Sequence, residues 1–485
     1  MKKEMGGFDM FGITSFGAYI PAYRLGRDLI ARAWGRGSLK GERSVANNDE
    51  DSLTMAVEAA RDCLRGLDRD GIGCLYLATT TAPYREKMSA AVAATALDLG
   101  RAVFATDFAN SLRSGTGAFR AAIDAVQAGS VNHVLVAASD CRLAPPRSDQ
   151  EQWFGDGAAA LTLGREKVVA TVEASLSINN EITDVWRNDD DRFVRMGESR
   201  FVLSHGFTAV MEEVIGGILK RSGRKPSQIS KLLISSPDER SHLQVAKKLG
   251  FNPETQIPDT LLSSVGHCGA AHPLMLLVSA LETAKPGEVL LLTSYGDGAD
   301  AFLLEVRDEV GGLPARRGIR NHLANRMTLS SYEKFLSFKG ILETAPGEPF
   351  RLFPSGSAYW RDQRSILRCH GSRCRQCGKA IFPVQRVCFH CRAKDDFEEI
   401  RYSDEVGKVF SFTRDQLAGR SDDPVVVQTI FDMTDGARFY LMMTDCDAAE
   451  ARVGLPVELT FRRIHEGADF HNYFWKCRPL RNGGS

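Results

Sequence analysis

The 485-residue chain predicts a duplicated, layered α/β core followed by a small four-cysteine ribbon and a β-barrel, and three observations predict it. Phe154-Gly-Asp-Gly-Ala-Ala-Ala-Leu-Thr-Leu returns about 140 residues later as Tyr295-Gly-Asp-Gly-Ala-Asp-Ala-Phe-Leu-Leu, a spacing equal to one domain half. Strand-like and helix-like segments alternate in the same order around both copies. Downstream, two C-x-x-C knuckles lie close together and precede a run of short alternating strands.

The repeat extends beyond the decamer. Ser111-Leu-Arg-Ser-Gly-Thr-Gly-Ala opens an apolar helix over 118–128 and leads to a strand at Val131–Ala138; Ser264-Val-Gly-His-Cys-Gly-Ala-Ala opens a helix over 273–283 and leads to a strand at Glu288–Thr293. Earlier in each half an apolar strand, Leu75–Ala78 or Leu232–Ser235, runs into a short polar segment, Thr79–Tyr84 or Ser235–Arg240. The expected order is strand, helix, strand, glycine elbow, helix, strand, twice over. Such alternation predicts layered sheets with ligands at the carboxyl ends of the strands, so the site is expected between the halves. Each Gly-Asp-Gly reads as a turn joining two strands, because Gly supplies and Asp tolerates unusual backbone angles. Asp49–Leu67 reads as a core helix with Leu53, Ala56, Val57, Ala60 and Leu64 on one face. The expected boundaries are 1–165 and 166–310 for the two halves, 311–363 for a linker with one amphipathic helix, 364–396 for the ribbon and 397–485 for the barrel.

Composition narrows the function classes. With 43% hydrophobic and 25% charged residues the chain is globular, and its 61 basic residues balance 61 acidic ones, so no global field favours nucleic acid or an anionic membrane. No apolar run reaches about 18 residues and the first ten residues lack a signal-like stretch, which places the chain in the cytoplasm without a membrane partner. Eleven cysteines, four of them clustered, suit a reducing compartment with one metal site.

Four segments carry a family resemblance: Gly17-Ala-Tyr-Ile-Pro-Ala-Tyr-Arg-Leu, the stretch from Ser44 to Ala60, Ala138-Ser-Asp-Cys-Arg-Leu-Ala-Pro and Val245-Ala-Lys-Lys-Leu-Gly-Phe. They resemble the condensing enzymes of the thiolase superfamily, above all archaeal-type hydroxymethylglutaryl-CoA synthases and, further away, ketoacyl-ACP synthase III. The resemblance implies an αβαβα core, a coenzyme A thioester substrate and a homodimer formed through the strand at Ala102–Phe108. It also implies a catalytic cysteine at the elbow, a histidine and a glutamate. Aligned with the family elbow, this chain carries Leu112 at the cysteine position, Thr80 at the glutamate position and Ser235 at the histidine position.

Other polar groups gather there. His267 stands where ketoacyl synthases carry an asparagine, followed by Cys268 and His272, and Ser235, Asp238 and Arg240 lie on the facing segment. A Cys/His pair suffices for nucleophilic or acid/base catalysis if the side chains share a cavity. Cys268 reads equally as a small buried hydrophobe and His267 as a structural hydrogen-bonding group. Arg240 occupies the position of a family lysine near the CoA entrance, which implies a phosphate contact there.

Cys374-Arg-Gln-Cys377 and Cys388-Phe-His-Cys391 are separated by ten residues, spacing that suits a closed tetrahedral thiolate site for structural zinc. The strands Gly407–Thr413, Val425–Phe431, Arg438–Met443 and Val457–Phe461 predict a five-stranded barrel. With the amphipathic Ser331–Leu342, these segments resemble the acyl-CoA-associated zinc-ribbon/OB-fold family, which implies a module that docks on the core and helps cover the CoA channel. Three functions follow as expectations. The first is an acyl-CoA carbon–carbon lyase or aldol-type enzyme without the usual Cys/His/Glu groups. The second is a non-catalytic subunit that scaffolds a separate thiolase, and the third an acyltransferase of the synthase type.

Overall fold

Apolar runs that cannot face water resolve into one nine-stranded sheet built from two halves. The computed structural model describes residues 10–343, 355–419, 423–467 and 470–481, so residues 344–354 of the expected linker lie outside the described residues. In the first half β1 (Gly12–Tyr19), β2 (Ile72–Ala78), β3 (Phe104–Phe108), β4 (His133–Asp140) and β5 (Gly157–Gly164) lie in the order β1-β5-β4-β2-β3. In the second, β6 (Ala170–Asn179), β7 (Lys231–Ile234), β8 (Val289–Tyr295) and β9 (Gly298–Val306) lie in the order β6-β9-β8-β7. The halves join where Gly12 and Ile13 pair with Thr171 and Ala170. Glycine is needed at that crossing, because a Cβ on Gly12 would lie 2.1 Å from the Ala170 carbonyl oxygen.

Strand side chains alternate between faces and so divide the core into layers. Leu75 and Leu77 of β2 face outward onto α1 (Ser52–Cys63) and α2 (Ser89–Ala96), while Cys74, Tyr76 and Ala78 face inward. The inner layer is α3 (Ser114–Gln127) and α6 (His272–Leu281), and Phe119 of α3 meets Phe302 of β9 edge-on at 5.0 Å. The second half is covered by α4 (Ala209–Ser222) and α5 (Ser241–Lys248). The helix expected over 49–67 is shorter, and its cap is Asp51, whose carboxylate accepts from Thr54 N at 2.8 Å in a capping box.

Two expectations need correction. The second half has no strand before its elbow: 257–263 is irregular and carries Pro258. The first Gly-Asp-Gly does not join two strands directly, since residues 141–156, with a short helix Gln150–Trp153, intervene between β4 and β5; only the second makes a tight hairpin turn. The helical stretch Ser199–Ser222 is, among the described residues, long and apolar enough by length and composition to cross a membrane, although Met211, Val214, Ile215 and Ile218 pack on the sheet.

The segment expected as a linker is partly core. Met327–Thr328 pairs with Tyr23 and Arg24, and α7 (Tyr332–Phe338) buries Tyr332, Phe335 and Phe338 against Leu25, Ile30 and Val45. Ser331 caps α7 by accepting from Lys334 N at 3.1 Å. Beyond it, β10 (His370–Cys374), β11 (Ala380–Ile381) and β12 (Phe397–Arg401) form the ribbon. The barrel is closed: β13 (Val406–Asp415), β14 (Val426–Met433), β15 (Arg438–Met443), β16 (Pro456–Gly467) and β17 (Phe470–Pro479) run in the order β13-β14-β15-β17-β16.

Buried charge fixes the barrel to the core. Arg462 of β16 is fully buried and contacts Asp49 at 3.0 Å, Glu50 at 2.8 Å and Asp445 at 2.5 Å. Lys476 reaches Asp49 at 2.8 Å, and Arg478 reaches Glu58 at 2.8 Å. Removing either sign from this seam leaves the other uncompensated away from water.

Candidate active site

Both elbows are pinned by the opposite half's Gly-Asp-Gly segment, which brings them together. A Cβ on Gly296 would meet Leu112 Cβ at 2.9 Å, and one on Gly155 would lie 2.1 Å from the Val265 carbonyl oxygen. The helix starts also touch: a Cβ on Gly115 of α3 would lie 2.2 Å from the Ala270 carbonyl oxygen just before α6. The two elbows thus meet between the halves, beside the carboxyl ends of β2 and β4, and the candidate site is built there.

Its centre is a residue the sequence reading did not single out. Asp140, the last residue of β4, is fully buried and accepts from Thr79 Oγ1 at 3.0 Å, Thr80 N at 2.7 Å, Thr80 Oγ1 at 3.0 Å, Thr81 Oγ1 at 2.9 Å and Ala270 N at 2.7 Å. One carboxylate thus ties the polar segment after β2 to the second elbow. Gly269 is obligatory beside it, with φ +55° and room for no Cβ, which would sit 2.1 Å from Asp140 Oδ2. Asp140 lay inside a matched segment, but only the fold reveals that three threonines and an elbow amide converge on it.

His267 is 9% exposed and oriented from both sides. Gly269 N donates to its Nδ1 at 3.2 Å, so the neutral ring carries its proton on Nε2, which points at Ser235 Oγ at 3.4 Å. Burial first, then the charges of His272 and Arg142, hold its pKa well below the ordinary histidine value, so the ring is neutral at pH 7. His272 stacks on it with centroids 4.6 Å apart, and burial lowers its pKa to about 4.

The remaining candidates separate. Cys268 is fully buried in the inner core, its sulfur 3.2 Å from where a Cβ on Gly157 would sit, and burial pushes its thiol far up, a placement that suits packing rather than nucleophilic attack. Asp238 is taken up by the start of α5, accepting from Arg240 N at 2.7 Å and Ser241 N at 2.8 Å. Arg240 is exposed at the start of that helix. Ser235 stays with His267, Thr80 with Asp140, and Leu112 against the second Gly-Asp-Gly turn. Lys339, just past α7, is an arrival that sequence spacing could not foretell: it pairs with buried Asp156 of the first Gly-Asp-Gly segment.

In the ribbon the sulfurs of Cys374, Cys377, Cys388 and Cys391 all lie within 4.8 Å of one another, with Cys374–Cys391 at 3.6 Å and Cys377–Cys388 at 3.7 Å. A tetrahedral thiolate site with metal–sulfur bonds of about 2.3 Å requires sulfurs about 3.8 Å apart, so the donor set fits zinc and leaves no open position. Turns at Gly378, with φ +72°, and Arg392, with φ +67°, close the knuckles, through Gly378 N to Cys374 O at 2.8 Å and Arg392 N to Cys388 O at 3.0 Å.

Residues 219–305 match the C-terminal domain of 3-oxoacyl-ACP synthase III, and residues 371–398 match the ChsH2 rubredoxin-like zinc ribbon. The hydroxymethylglutaryl-CoA synthase of Pyrobaculum arsenaticum is 34% identical over 316 residues, covering 62% of this chain and 88% of that protein. The chain belongs to the hydroxymethylglutaryl-CoA synthase family of the thiolase superfamily. The family's protein from Archaeoglobus fulgidus is 32% identical over 319 residues, covering 63% of this chain and 92% of its own. Among solved structures, a hydroxymethylglutaryl-CoA synthase complexed with CoA has a TM-score of 0.63 at 19% identity, covering 72% of this chain and 95% of its own. The 3-oxoacyl-ACP synthase III of Aquifex aeolicus has a TM-score of 0.55 at 24% identity, covering 61% and 99%. The synthase-family match accounts for the core, and the ribbon and barrel extend beyond it.

Neutral His272 has a stability consequence. Its folded pKa lies below the ordinary value of 6.5, so its contribution is complete above pH 6.5 and is lost as pH falls toward 4, at most about 3 kcal/mol. Denaturant titrations at pH 6.5 and 4 are expected to show a smaller acid loss in His272→Asn than in the parent; equal losses contradict the assignment.

Proposed function

We propose that the core takes up an acyl-CoA thioester and makes or breaks a carbon–carbon bond next to its carbonyl without an acyl-enzyme stage. The observation that carries this reading is the pair of elbows: the first holds Leu112, an alkyl side chain that cannot be acylated, and the second holds a neutral, doubly oriented His267. In the aldol direction water takes the α proton of the thioester, the enolate carbon attacks a ketone or aldehyde carbon, and the carbonyl π pair moves onto oxygen. His267 keeps its proton and donates a hydrogen bond from Nε2 to that oxygen, which is protonated by the hydronium just formed. Cleavage is the reverse: water takes the hydroxyl proton, Nε2–H holds the alkoxide oxygen, the carbon–carbon pair returns to the enolate, and the enolate carbon takes the proton back from the hydronium. A neutral imidazole serves as such a donor because its proton is aimed and no cation has to be buried beforehand.

CoA recognition is supported by the CoA-bound synthase structure of the same fold. The exposed edge strand β3, with Phe104 at 60% exposure, supports pairing with a second copy. The strand order of the closed barrel, with β15 and β17 parallel, supports an OB-fold reading. A second reading, carriage of a partner thiolase, is favoured by the exposed Phe389 of the ribbon and Tyr440 of the barrel. The assay is incubation with 3-hydroxyacyl-CoA esters of graded size, following the shortened acyl-CoA and its carbonyl co-product. Their formation is the expected result; esters left intact across the series contradict the lyase and leave the carrier.

Zinc in this reading is structural, held by Cys374, Cys377, Cys388 and Cys391. One zinc per chain is the expected metal content, and Cys388→Ser is expected to lose it and unfold the ribbon while the core keeps its melting transition. A metal-free parent with a folded ribbon contradicts the role.

A further inference from the structure

Arg142 follows Asp140 by two residues and is 4% exposed. Its guanidinium lies 4.1 Å over the ring of Phe154, the residue bridged to His267, so one face is stacked and the N–H edges are left in the plane. Among the described residues it makes no hydrogen bond and no ion pair, unlike other buried arginines such as Arg43, which donates to Glu151 O at 2.6 Å, and Arg462, which meets three carboxylates. The carboxylates that attract it from a distance are Asp140 and Asp184. Asp140 is occupied by its five donors, and Asp184 accepts from Val185 N at 2.5 Å. The segment that carries Asp184 is tied to both neighbouring loops: Val194 N donates to Leu143 O, next to Arg142, at 3.0 Å, and Arg187 Nη2 to Thr80 O at 2.6 Å.

A buried guanidinium without a counter-charge is costly, and a planar carboxylate arriving edge-on would satisfy it with two parallel hydrogen bonds. We infer that Arg142 is a substrate-specificity residue that receives a carboxylate on the acyl group of the thioester, so that the preferred substrates are acyl-CoA esters with an acid at the far end of the acyl chain. The inference rests on the acyl-CoA reading above. The nucleotide phosphates are not the match, because a group this enclosed beside His267 is met by the small reacting end of the ligand.

The test is calorimetric titration of the full-length, zinc-loaded protein with length-matched pairs: succinyl- against butyryl-CoA, glutaryl- against valeryl-CoA, adipyl- against hexanoyl-CoA. In at least one pair the acid is expected to bind about 10- to 100-fold more tightly. Arg142→Leu is expected to bring that pair within about threefold while leaving the uncharged member's affinity unchanged, and Arg142→Lys to fall between, since it keeps the charge without the fork. Equal affinities within every pair, or a preference that survives Arg142→Leu, overturn the inference and leave the acyl-CoA reading standing. If Arg142→Leu does not fold, a parent-like preference in Arg142→Lys overturns it. If no ester of either kind binds, the acyl-CoA reading falls and the inference with it.

Discussion

Arg462→Met is expected to destabilise the protein by about 3–5 kcal/mol, measured by denaturant unfolding of the full chain. The reason is local: Asp49, Glu50 and Asp445 meet at one guanidinium with no exposure, and methionine leaves their charges facing one another. Two of the carboxylates come from the core and one from the barrel, so the loss appears first as undocking. Limited proteolysis is expected to release a fragment starting near the ribbon. Arg438→Met is the matched control, because its pair with Asp432 at 2.6 Å is exposed at 52% and 38% and is screened by water, so its loss is expected to change stability little. Equal effects of the two substitutions contradict the seam as described.

His267→Ala is expected to lower turnover of a cleavable 3-hydroxyacyl-CoA by about 10²- to 10³-fold, the usual loss when one aimed donor is removed from a developing oxyanion. His267→Asn keeps an N–H donor near the same place and is expected to retain more activity than alanine. KM is expected to move little in either variant, because the bond is made mainly in the transition state. A drop confined to KM would assign His267 to ground-state binding, and no drop would remove it from the chemistry. Asp140→Asn is not equivalent: it disturbs Thr79, Thr80, Thr81 and Ala270 together, so its loss of activity comes through displaced neighbours.

The duplicated core was legible because periodicity and glycine geometry act locally. Gly155 and Gly296 are glycines on account of close contacts, and those contacts are what the repeat preserved. The four cysteines were legible for the same reason, since two knuckles fix their own geometry. What escaped the sequence reading depends on contacts between distant segments. Asp140 gains its meaning from Thr79–Thr81 and Ala270, 130 residues apart from it in the last case. Lys339 comes from a segment that reads as a linker and reaches an aspartate 183 residues away. Asp238 and Cys268 look chemical in a list of residue types, but a helix start claims the first and the core claims the second. The irregular path at 257–263 likewise breaks a repeat that local pattern extended too far, because Pro258 cannot donate in a strand ladder.

The central claim is that carbon–carbon chemistry proceeds here without a covalent acyl-enzyme, and intact-protein mass after incubation with a panel of acyl-CoA esters tests it most directly. The account predicts an unchanged mass with no stoichiometric release of free CoA, in the parent and in Cys268→Ala alike, under conditions where 3-hydroxyacyl-CoA is cleaved. A mass increase equal to the acyl group, lost on replacing a cysteine, would contradict it and restore the acyltransferase of the parent family.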